Sequence, residues 1–151
     1  MNAPDEGRRP HICPATEDDY EAILAVWSAA GLGVRPQGRD ARGPFRRQLA
    51  AFPDLYLVAK DEGRVVGVVL GTHDERKGWI NRLAVVPAYR RRGIAAALVR
   101  ACETALEARG IHIITALVEP ASAASAELFA GLGYREDVPV RYFRKVSRAE
   151  W

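Results

Sequence analysis

The segment best suited to chemistry is residues 87–95, in which three consecutive arginines, Arg90, Arg91 and Arg92, precede Gly93. It follows an apolar, strand-like run and opens a helical pattern, so the first peptide N–H groups of that helix have no partner within the helix. The helix macrodipole adds about half a positive charge there, and a glycine lets a ligand approach the backbone closely. The arrangement is typical of a phosphate site to which guanidinium groups add charge.

This segment differs from two other phosphate-binding patterns. It contains neither the Gly-x-Gly-x-x-Gly fingerprint of dinucleotide-binding folds nor the Gly-Lys-Ser/Thr of a P-loop. An isolated Arg-x-x-Gly-x-Ala string is more often a solvated loop before an ordinary helix start. Here the strand-like run before it and the helical pattern after it favour the phosphate site.

Length and composition limit the classes of protein that the chain can represent. Its 151 residues, 48% of them hydrophobic, match one compact domain, and we expect residues 1–151 to form a single domain with a frayed start over residues 1–10. No apolar run approaches the roughly 20 residues of a membrane-spanning helix, and the first residues lack a signal-peptide centre. We therefore expect a cytoplasmic protein without a membrane partner.

The small excess of positive charge and the small number of cysteines argue against a nucleic-acid-binding protein and a structural zinc protein. The 22 Lys and Arg residues exceed the 19 Asp and Glu residues by three, too few to coat a surface for nucleic acid. Cys13 and Cys102 are too few and too far apart in sequence for a disulfide framework or a structural zinc site. We expect no nucleic-acid partner and no metal cofactor.

Alternating strand and helix patterns must position the arginine-rich turn. Residues rich in β-formers predict strands over residues 11–15, 55–60, 64–72, 79–86, 111–118 and 140–146. Apolar periodicity predicts four helices: one starting at Thr16 and Asp19, one before Pro53, one over residues 93–109 and one over residues 122–132. The sequence therefore predicts a mixed α/β sheet flanked by helices.

The strand over 79–86, the helix over 93–109 and the strand over 111–118 form a crossover unit. Such a unit makes its two strands parallel and its connection right-handed. Because residues 111–118 are nearly all apolar, we expect this strand to be buried on both faces. Residues 55–60 and 64–72 are expected to form an antiparallel hairpin.

Residues 83–95, Leu-Ala-Val-Val-Pro-Ala-Tyr-Arg-Arg-Arg-Gly-Ile-Ala, resemble the acetyl-CoA signature of the GCN5-related N-acetyltransferase superfamily. The resemblance extends more loosely over residues 11–146, and residues 122–134 are similar to the last helix of that fold and the Gly-Phe/Tyr after it. It implies the acyl-CoA N-acyltransferase fold, with a mostly antiparallel sheet of six to seven strands and a central parallel crossover. It also implies acetyl-CoA as donor and a primary amine as the usual acceptor.

The resemblance also assigns cofactor-binding residues. The strand before the turn is implied to leave its parallel neighbour, so that backbone groups of Leu83, Ala84 and Val85 bind the pantetheine arm. The pyrophosphate is implied to lie on Arg90, Arg91, Arg92, Gly93, Ile94 and Ala95. Ser122 and Phe129 stand where the family often has an Asn and a Tyr that protonates the leaving thiolate. Phe129 cannot donate a proton, so we expect it to pack against the pantetheine arm while solvent serves as the acid.

The implied reaction also needs a base, because an amine with a pKa near 10.4 must lose a proton before it attacks. The amine must lie within about 3 to 3.5 Å of the thioester carbon, and a backbone N–H must stabilise the developing oxyanion. Family members often carry a Glu or His where this chain has Trp79 and Asn81. Asn81 could orient a water, and Glu119 could act as the base; a local hydrogen bond for Asn81 and a solvated loop for Glu119 remain open.

Two functions remain open on these residues. The first is an N-acetyltransferase in which the amine attacks acetyl-CoA directly in a ternary complex. The alternative is a catalytically weak or inactive module of the same fold that binds CoA or acetyl-CoA. The acceptor, whether a small-molecule amine or a peptide or protein amine, is not identified by the sequence, and a homodimer is a further expectation.

Overall fold

The computed structural model describes residues 9–151, whose fold is built from five strands and four α-helices. The strands are β1 (His11–Pro14), β2 (Tyr56–Asp61), β3 (Arg64–His73), β4 (Gly78–Val85) and β5 (Ile114–Ala116). The helices are α1 (Tyr20–Ala29), α2 (Arg42–Ala51), α3 (Ile94–Ala108) and α4 (Ala123–Gly131). Short 3-10 turns at Glu17–Asp19 and Pro87–Tyr89 precede α1 and α3.

The five strands form one sheet in the order β1-β2-β3-β4-β5. Strands β1 to β4 pair antiparallel, whereas β4 and β5 are parallel and are joined through α3. The predicted fold class, a mixed and mostly antiparallel sheet with one parallel crossover, is confirmed. The predicted count of six to seven strands is wrong, since five are present in the described part of the chain.

The helices cover the two faces of the sheet and create two apolar layers. Helices α1 and α2 pack on one face, where Ile23, Trp27, Phe45, Tyr56 and Val68 belong to one buried cluster. On the other face, α3 and α4 contribute to a second cluster that includes Leu57, Val66, Val69, Leu98 and Phe129. The turn between β4 and α3 therefore lies at the end of a strand that both layers hold in place.

The start of α1 follows the predicted capping pattern. The Thr16 backbone N–H donates to Asp19 Oδ2 at 2.9 Å, and Lys60 Nζ lies 2.9 Å from the other oxygen of the same carboxylate. The hydrogen bond to Asp19 raises the pKa of Lys60. This buried carboxylate therefore ties the first turn of α1 to strand β2.

Small residues on β3 let α3 approach the sheet closely. A Cβ added at Gly67 would lie 3.1 Å from Leu98 Cδ1, and one at Gly71 would lie 3.1 Å from Cys102 Sγ. A Cβ at either position would be in tighter contact than is usual, so the neighbouring side chains of α3 would have to shift by a few tenths of an ångström. The sequence Gly67-x-x-x-Gly71 thus sets the depth at which α3 packs.

Two predictions about the C-terminal third are wrong. Residues 140–146 form no strand, and Val140, Tyr142 and Phe143 are 74%, 70% and 80% exposed. Their β-forming side chains are typical of a strand, but a strand requires a sheet edge to pair with its backbone, and this segment pairs with none. The end of the chain instead reaches the loop between α1 and α2, where Arg39 Nη1 donates to the Trp151 carbonyl at 2.7 Å.

Strand β5 is also shorter and more exposed than predicted. It spans three residues, all only partly buried, and the flanking Ile113 and Leu117 are 54% and 59% exposed. Because β5 is the last strand in the sheet order, it has one strand neighbour instead of two. The expectation that residues 111–118 are buried on both faces is therefore wrong.

Two further expectations concern the start of the chain and its relation to membranes. The frayed start predicted for residues 1–10 falls mostly on residues 1–8, which lie outside the described residues. Between residues 9 and 151, no helix has the length and apolar character that crossing a membrane requires.

Candidate active site

The arginine turn, defined here as residues 87–93, connects β4 to α3 and leaves backbone donors uncapped. Arg91 and Gly93 both have left-handed backbone conformations, with φ of +61° and +76°. Gly93 occupies the N-cap position of α3, and no side chain caps the first turn of that helix. Arg91, Arg92 and Gly93 are exposed, so the backbone of the turn is accessible to an anion, whereas Ile94, the first residue of α3, is 4% exposed.

The space above Gly93 is open. A Cβ added at this residue would have no atom within 4 Å. A ligand can therefore come against the backbone of Gly93, and a side chain there would occupy the same space. Open backbone beside three arginines has the chemistry that fits a phosphate group.

Side-chain contacts hold the arginine turn on the sheet. The Tyr89 hydroxyl donates to Asp61 Oδ2 at 2.5 Å, and the Arg92 guanidinium lies 4.9 Å from the centre of the Tyr89 ring. The hydrogen bond to Asp61 raises the pKa of Tyr89. Arg90 Nε donates to the Val85 carbonyl at 3.4 Å. Two of the three arginines are thus placed by contacts within or beside the turn.

Strands β4 and β5 separate before they reach the arginine turn. Their pairing covers residues 78–80 of β4 and ends where Ile80 lies opposite Ala116, while β4 continues to pair with β3 up to Val85. Leu83, Ala84 and Val85 therefore lie beyond the last pair and have no partner residue on β5. Such an edge offers N–H and C=O groups to an extended ligand.

The start of α4 contributes a pair of hydroxyl groups that the sequence reading did not identify. Ser122 Oγ donates to Ser125 Oγ at 2.8 Å, and both side chains are partly buried. The spacing of three residues at a helix start was the available signal, since it places two side chains on one face. Ser122, predicted to touch the cofactor, thus comes with Ser125 as a partner.

Phe129 lies on α4 against the α3 side of the sheet. Its side chain is 8% exposed and belongs to the same apolar cluster as Ile94 and Leu98 of α3. Its ring meets the Tyr134 ring edge-on, with the centroids 5.0 Å apart. The Tyr134 hydroxyl is buried without a hydrogen-bond partner among the described residues, and burial raises its pKa. Phe129 therefore provides an apolar surface at this place.

Asn81 and Glu119, the two predicted catalytic residues, both follow the last pair between β4 and β5, which is Ile80 with Ala116. No hydrogen bond joins their side chains. Asn81 Nδ2 donates to Thr72 Oγ1 at 3.0 Å and to the Trp79 carbonyl at 3.3 Å. Glu119 is exposed, and its carbonyl accepts the Ser122 N–H at 2.9 Å. Asn81 is thus oriented by its neighbours, whereas the Glu119 side chain lies in solvent.

Neither cysteine is placed to act as a nucleophile beside the open edge of β4. Cys102 is fully buried on α3, its Sγ lies 3.6 Å from the Leu55 carbonyl, and burial raises its pKa to about 12. Cys13 is on β1, at the opposite edge of the sheet. Within residues 9–151, no group of three or more His, Cys, Asp or Glu side chains is arranged to hold a metal ion.

Comparison with known proteins identifies the family to which the chain belongs. The profile of the "Acetyltransferase (GNAT) family" matches residues 20–134, which include the sheet from β2 to β5 and all four α-helices. The chain belongs to this family. The GNAT assignment confirms the resemblance carried by residues 83–95 and makes the protein an enzyme of the acyltransferase class.

Curated relatives carry the same assignment. An acetyltransferase of Pectobacterium atrosepticum is 37% identical over 118 residues, which cover 78% of this chain and 82% of the relative. An acetyltransferase of Sodalis glossinidius is 38% identical over 117 residues, which cover 78% of this chain and 81% of the relative.

Solved GNAT structures share the fold. The PaiA N-acetyltransferase of Thermoplasma acidophilum, solved in complex with coenzyme A, has a TM-score of 0.74 at 16% identity and covers 84% of this chain and 90% of its own. An aminoglycoside 6'-N-acetyltransferase of Acinetobacter haemolyticus has a TM-score of 0.67 at 20% identity and covers 91% of this chain and 99% of its own.

Proposed function

We propose that this GNAT enzyme transfers the acetyl group of acetyl-CoA to a primary amine by direct attack in a ternary complex. The observation that carries the proposal is the separation of β4 from β5 directly beside the uncapped start of α3. An extended arm can enter the gap while its phosphates reach the N–H groups of residues 91–95, in the turn that follows the same strand. The CoA complex of the structural relative from Thermoplasma acidophilum supports this choice of ligand.

The cofactor-binding roles follow the chain from the turn to the last helix. Backbone N–H groups of residues 91–95, with Ile94 and Ala95 in the first turn of α3, would hold the pyrophosphate, and the guanidinium groups of residues 90–92 would neutralise phosphate charge. Backbone groups of Leu83, Ala84 and Val85 would bind the pantetheine arm. Ser122 and Phe129 would line the far side of that arm.

The chemistry asks little more of the protein than positioning. A thioester is already activated, so the protein must orient the amine, receive its proton and stabilise the charge that develops on the carbonyl oxygen. Asn81, held by Thr72 and Trp79, would orient a water that carries the proton, and Glu119 would receive it. The neutral, buried thiol of Cys102 and the remote Cys13 argue against transfer through an acetylated cysteine, which is consistent with direct attack.

Acetyl-CoA binding is tested by thermal unfolding. At a concentration about 100 times its Kd, acetyl-CoA should stabilise the protein by about 2.7 kcal/mol, which corresponds to a rise in Tm of several degrees. Arg91→Glu should reduce this rise, whereas Arg100→Glu, an equal charge change at an exposed position of α3, should leave it unchanged. An equal rise in wild type and Arg91→Glu would contradict the proposed phosphate site.

Transfer is tested separately by the release of the CoA thiol with a panel of amines. The panel contains small amines, an aminoglycoside, a peptide with a free α-amine and a lysine-containing protein, since a small-molecule acceptor and a peptide or protein acceptor are both proposed. Thiol release with any of them supports the transferase. Binding of acetyl-CoA without release would favour the alternative, a module with little or no turnover, to which the replacement of the family's frequent Tyr by Phe129 points.

A further inference from the structure

Strand β4 carries a bulge at the start of the segment proposed to bind the pantetheine arm. The register of β4 against β3 shifts between Asn81 and Ala84, so that Arg82 and Leu83 together oppose the single residue Val69. Arg82 has a φ of +53°, in the left-handed region that residues other than glycine rarely occupy. Such a conformation persists only where the surroundings fix it.

A single residue of α1 fixes both the backbone and the side chain of Arg82. Trp27 Nε1 donates to the Arg82 carbonyl at 3.0 Å, and the Arg82 guanidinium lies 4.3 Å from the centre of the Trp27 ring. Arg82 Nη2 also donates to the Gly33 carbonyl at 2.8 Å, in the loop after α1. Trp27 is 4% exposed, so its indole is itself held by the core.

The hydrogen bond from Trp27 determines the direction of the next N–H group. In a trans peptide the C=O of one residue and the N–H of the next point in opposite directions. A carbonyl of Arg82 that points to the indole therefore turns the Leu83 N–H away from the indole. At this point β4 has already separated from β5, whose last paired residue is Ala116.

We propose that Trp27 is a positioning residue for acetyl transfer, because its indole N–H sets the peptide between Arg82 and Leu83 so that the Leu83 N–H faces the thioester carbonyl. This inference rests on the proposed function. Trp27 touches neither the thioester nor the amine and acts through the Arg82 carbonyl. A donor that is aimed before the reaction needs no reorganisation when negative charge develops on the thioester oxygen.

The Arg82 guanidinium over the Trp27 ring also restrains the peptide between Arg82 and Leu83. The Arg82 side chain is held between the Trp27 ring and the Gly33 carbonyl, and its Nε is buried without a partner among the described residues. Burial lowers the pKa of Arg82, which nevertheless stays charged at neutral pH. The ring and the loop therefore restrain rotation of Arg82 about its left-handed backbone, together with the indole N–H.

The test compares Trp27→Phe with wild type. Phenylalanine keeps an aromatic ring under Arg82 and removes the N–H donor. With acetyl-CoA labelled with ¹³C at the thioester carbonyl, the infrared stretch of the bound carbonyl should move to lower frequency in the wild type, and most of that displacement should be lost in Trp27→Phe. The kcat with the best amine of the panel should fall about tenfold to a hundredfold, while KM for acetyl-CoA changes less than about threefold.

Tyr20→Phe is the matched control. Tyr20 is also a buried aromatic residue of α1 that donates one hydrogen bond to a backbone carbonyl, that of Asp40 at 2.7 Å, but it does not bond to β4. It should keep the wild-type carbonyl frequency and kcat. If Trp27→Phe is too unstable to assay, benzothienylalanine at position 27 removes the N–H while keeping the shape of the indole.

The outcomes separate this inference from the function on which it rests. If acetyl-CoA binds and the carbonyl frequency is the same in wild type and in the variant at position 27, the inference is overturned and the proposed function stands. An equal loss in Tyr20→Phe would also overturn it, since the effect would then be a general loosening of α1. If acetyl-CoA does not raise the Tm of the wild type, the proposed function fails and takes the inference with it.

Discussion

The Tyr89 hydroxyl donates a 2.5 Å hydrogen bond to the Asp61 carboxylate and thereby joins the arginine turn to the last residue of β2. Arg92 stacks on the same tyrosine ring, so the contact also places one of the three guanidinium groups. The two residues are 28 positions apart in sequence. The turn that we propose to hold the pyrophosphate is thus supported from the sheet as well as by its own backbone.

Removal of this hydrogen bond should weaken acetyl-CoA binding without slowing the chemical step. In Tyr89→Phe the ring remains for Arg92 but the turn loses its tie to Asp61, and we expect KM for acetyl-CoA to rise about twofold to fivefold with kcat nearly unchanged. Steady-state kinetics at varied acetyl-CoA measures both constants. Tyr142→Phe, a change at a 70% exposed tyrosine, serves as control, and an equal KM in Tyr89→Phe and wild type would contradict a supporting role.

Gly93 should be required for affinity more than for folding. Gly93→Ala and Gly110→Ala place a Cβ at opposite ends of α3, at φ of +76° and +80°, and neither Cβ meets an atom within 4 Å. Each should therefore lose about 1 to 2 kcal/mol of stability from backbone strain alone. Only Gly93→Ala places the methyl group where the pyrophosphate would lie, and we expect its Kd for acetyl-CoA to rise about tenfold, or about 1.4 kcal/mol.

Calorimetric titration with acetyl-CoA and thermal unfolding of both variants measure the two effects. The comparison is matched because the helix, the backbone conformation and the new side chain are the same. Equal affinities in the two alanine variants would show that no ligand approaches the backbone of Gly93.

The substitution Gly38→Ala should detach the last residues of the chain from the loop between α1 and α2. A Cβ at Gly38 would overlap the Glu150 carbonyl oxygen, so Gly38→Ala should displace the C-terminal residues from the loop between α1 and α2 and break the bond from Arg39 to Trp151. Trypsin should then cleave after Arg148 faster than in wild type, as measured by mass spectrometry of timed digests.

The control for this prediction is Gly33→Ala in the same loop, where an added Cβ meets nothing within 4 Å. It should leave the cleavage rate unchanged. Identical digestion of wild type and Gly38→Ala would mean that the C-terminal residues are not held by this loop.

The parts of the site that depend on neighbouring residues could be predicted from the sequence. The start of α1, the end of β4 and the uncapped start of α3 are each specified by residues within a few positions of one another. Gly93 in a left-handed conformation before a helix follows from the same local logic. This is why the arginine turn could be identified as a candidate site before the fold was known.

Features that join distant segments could not be predicted. The bulge of β4 depends on its register against β3, and the indole of Trp27 reaches Arg82 across 55 positions of sequence. The exposed segment around Tyr142 is rich in β-forming residues, but whether a strand forms depends on pairing with another strand, which these residues alone do not specify. Hydrophobic periodicity is a property of one segment, whereas strand pairing and register depend on two segments that can be far apart in sequence.

The different burial of the two thiols predicts how each responds to pH. Burial raises the pKa of Cys102 from its ordinary value near 9 to about 12, whereas Cys13 is only partly buried on the edge strand β1. At pH 8, a thiol reagent should therefore modify Cys13 and leave Cys102 intact in the folded protein. Between about pH 9 and pH 12 the unfolded chain loses the Cys102 proton more readily than the folded one, so the free energy of unfolding should fall as pH rises.

Replacement of both cysteines separates direct attack from transfer through an acetylated cysteine. Cys13→Ala combined with Cys102→Ala should lower the Tm, because the second change leaves a cavity between α3 and β3. It should keep kcat within about threefold of wild type, since no bond to sulfur of the protein forms or breaks during transfer. Initial rates at varied acetyl-CoA and amine should give intersecting reciprocal plots in both proteins. Parallel plots in the wild type, together with loss of turnover in the variant while acetyl-CoA still binds, would contradict direct attack and indicate an acetylated cysteine.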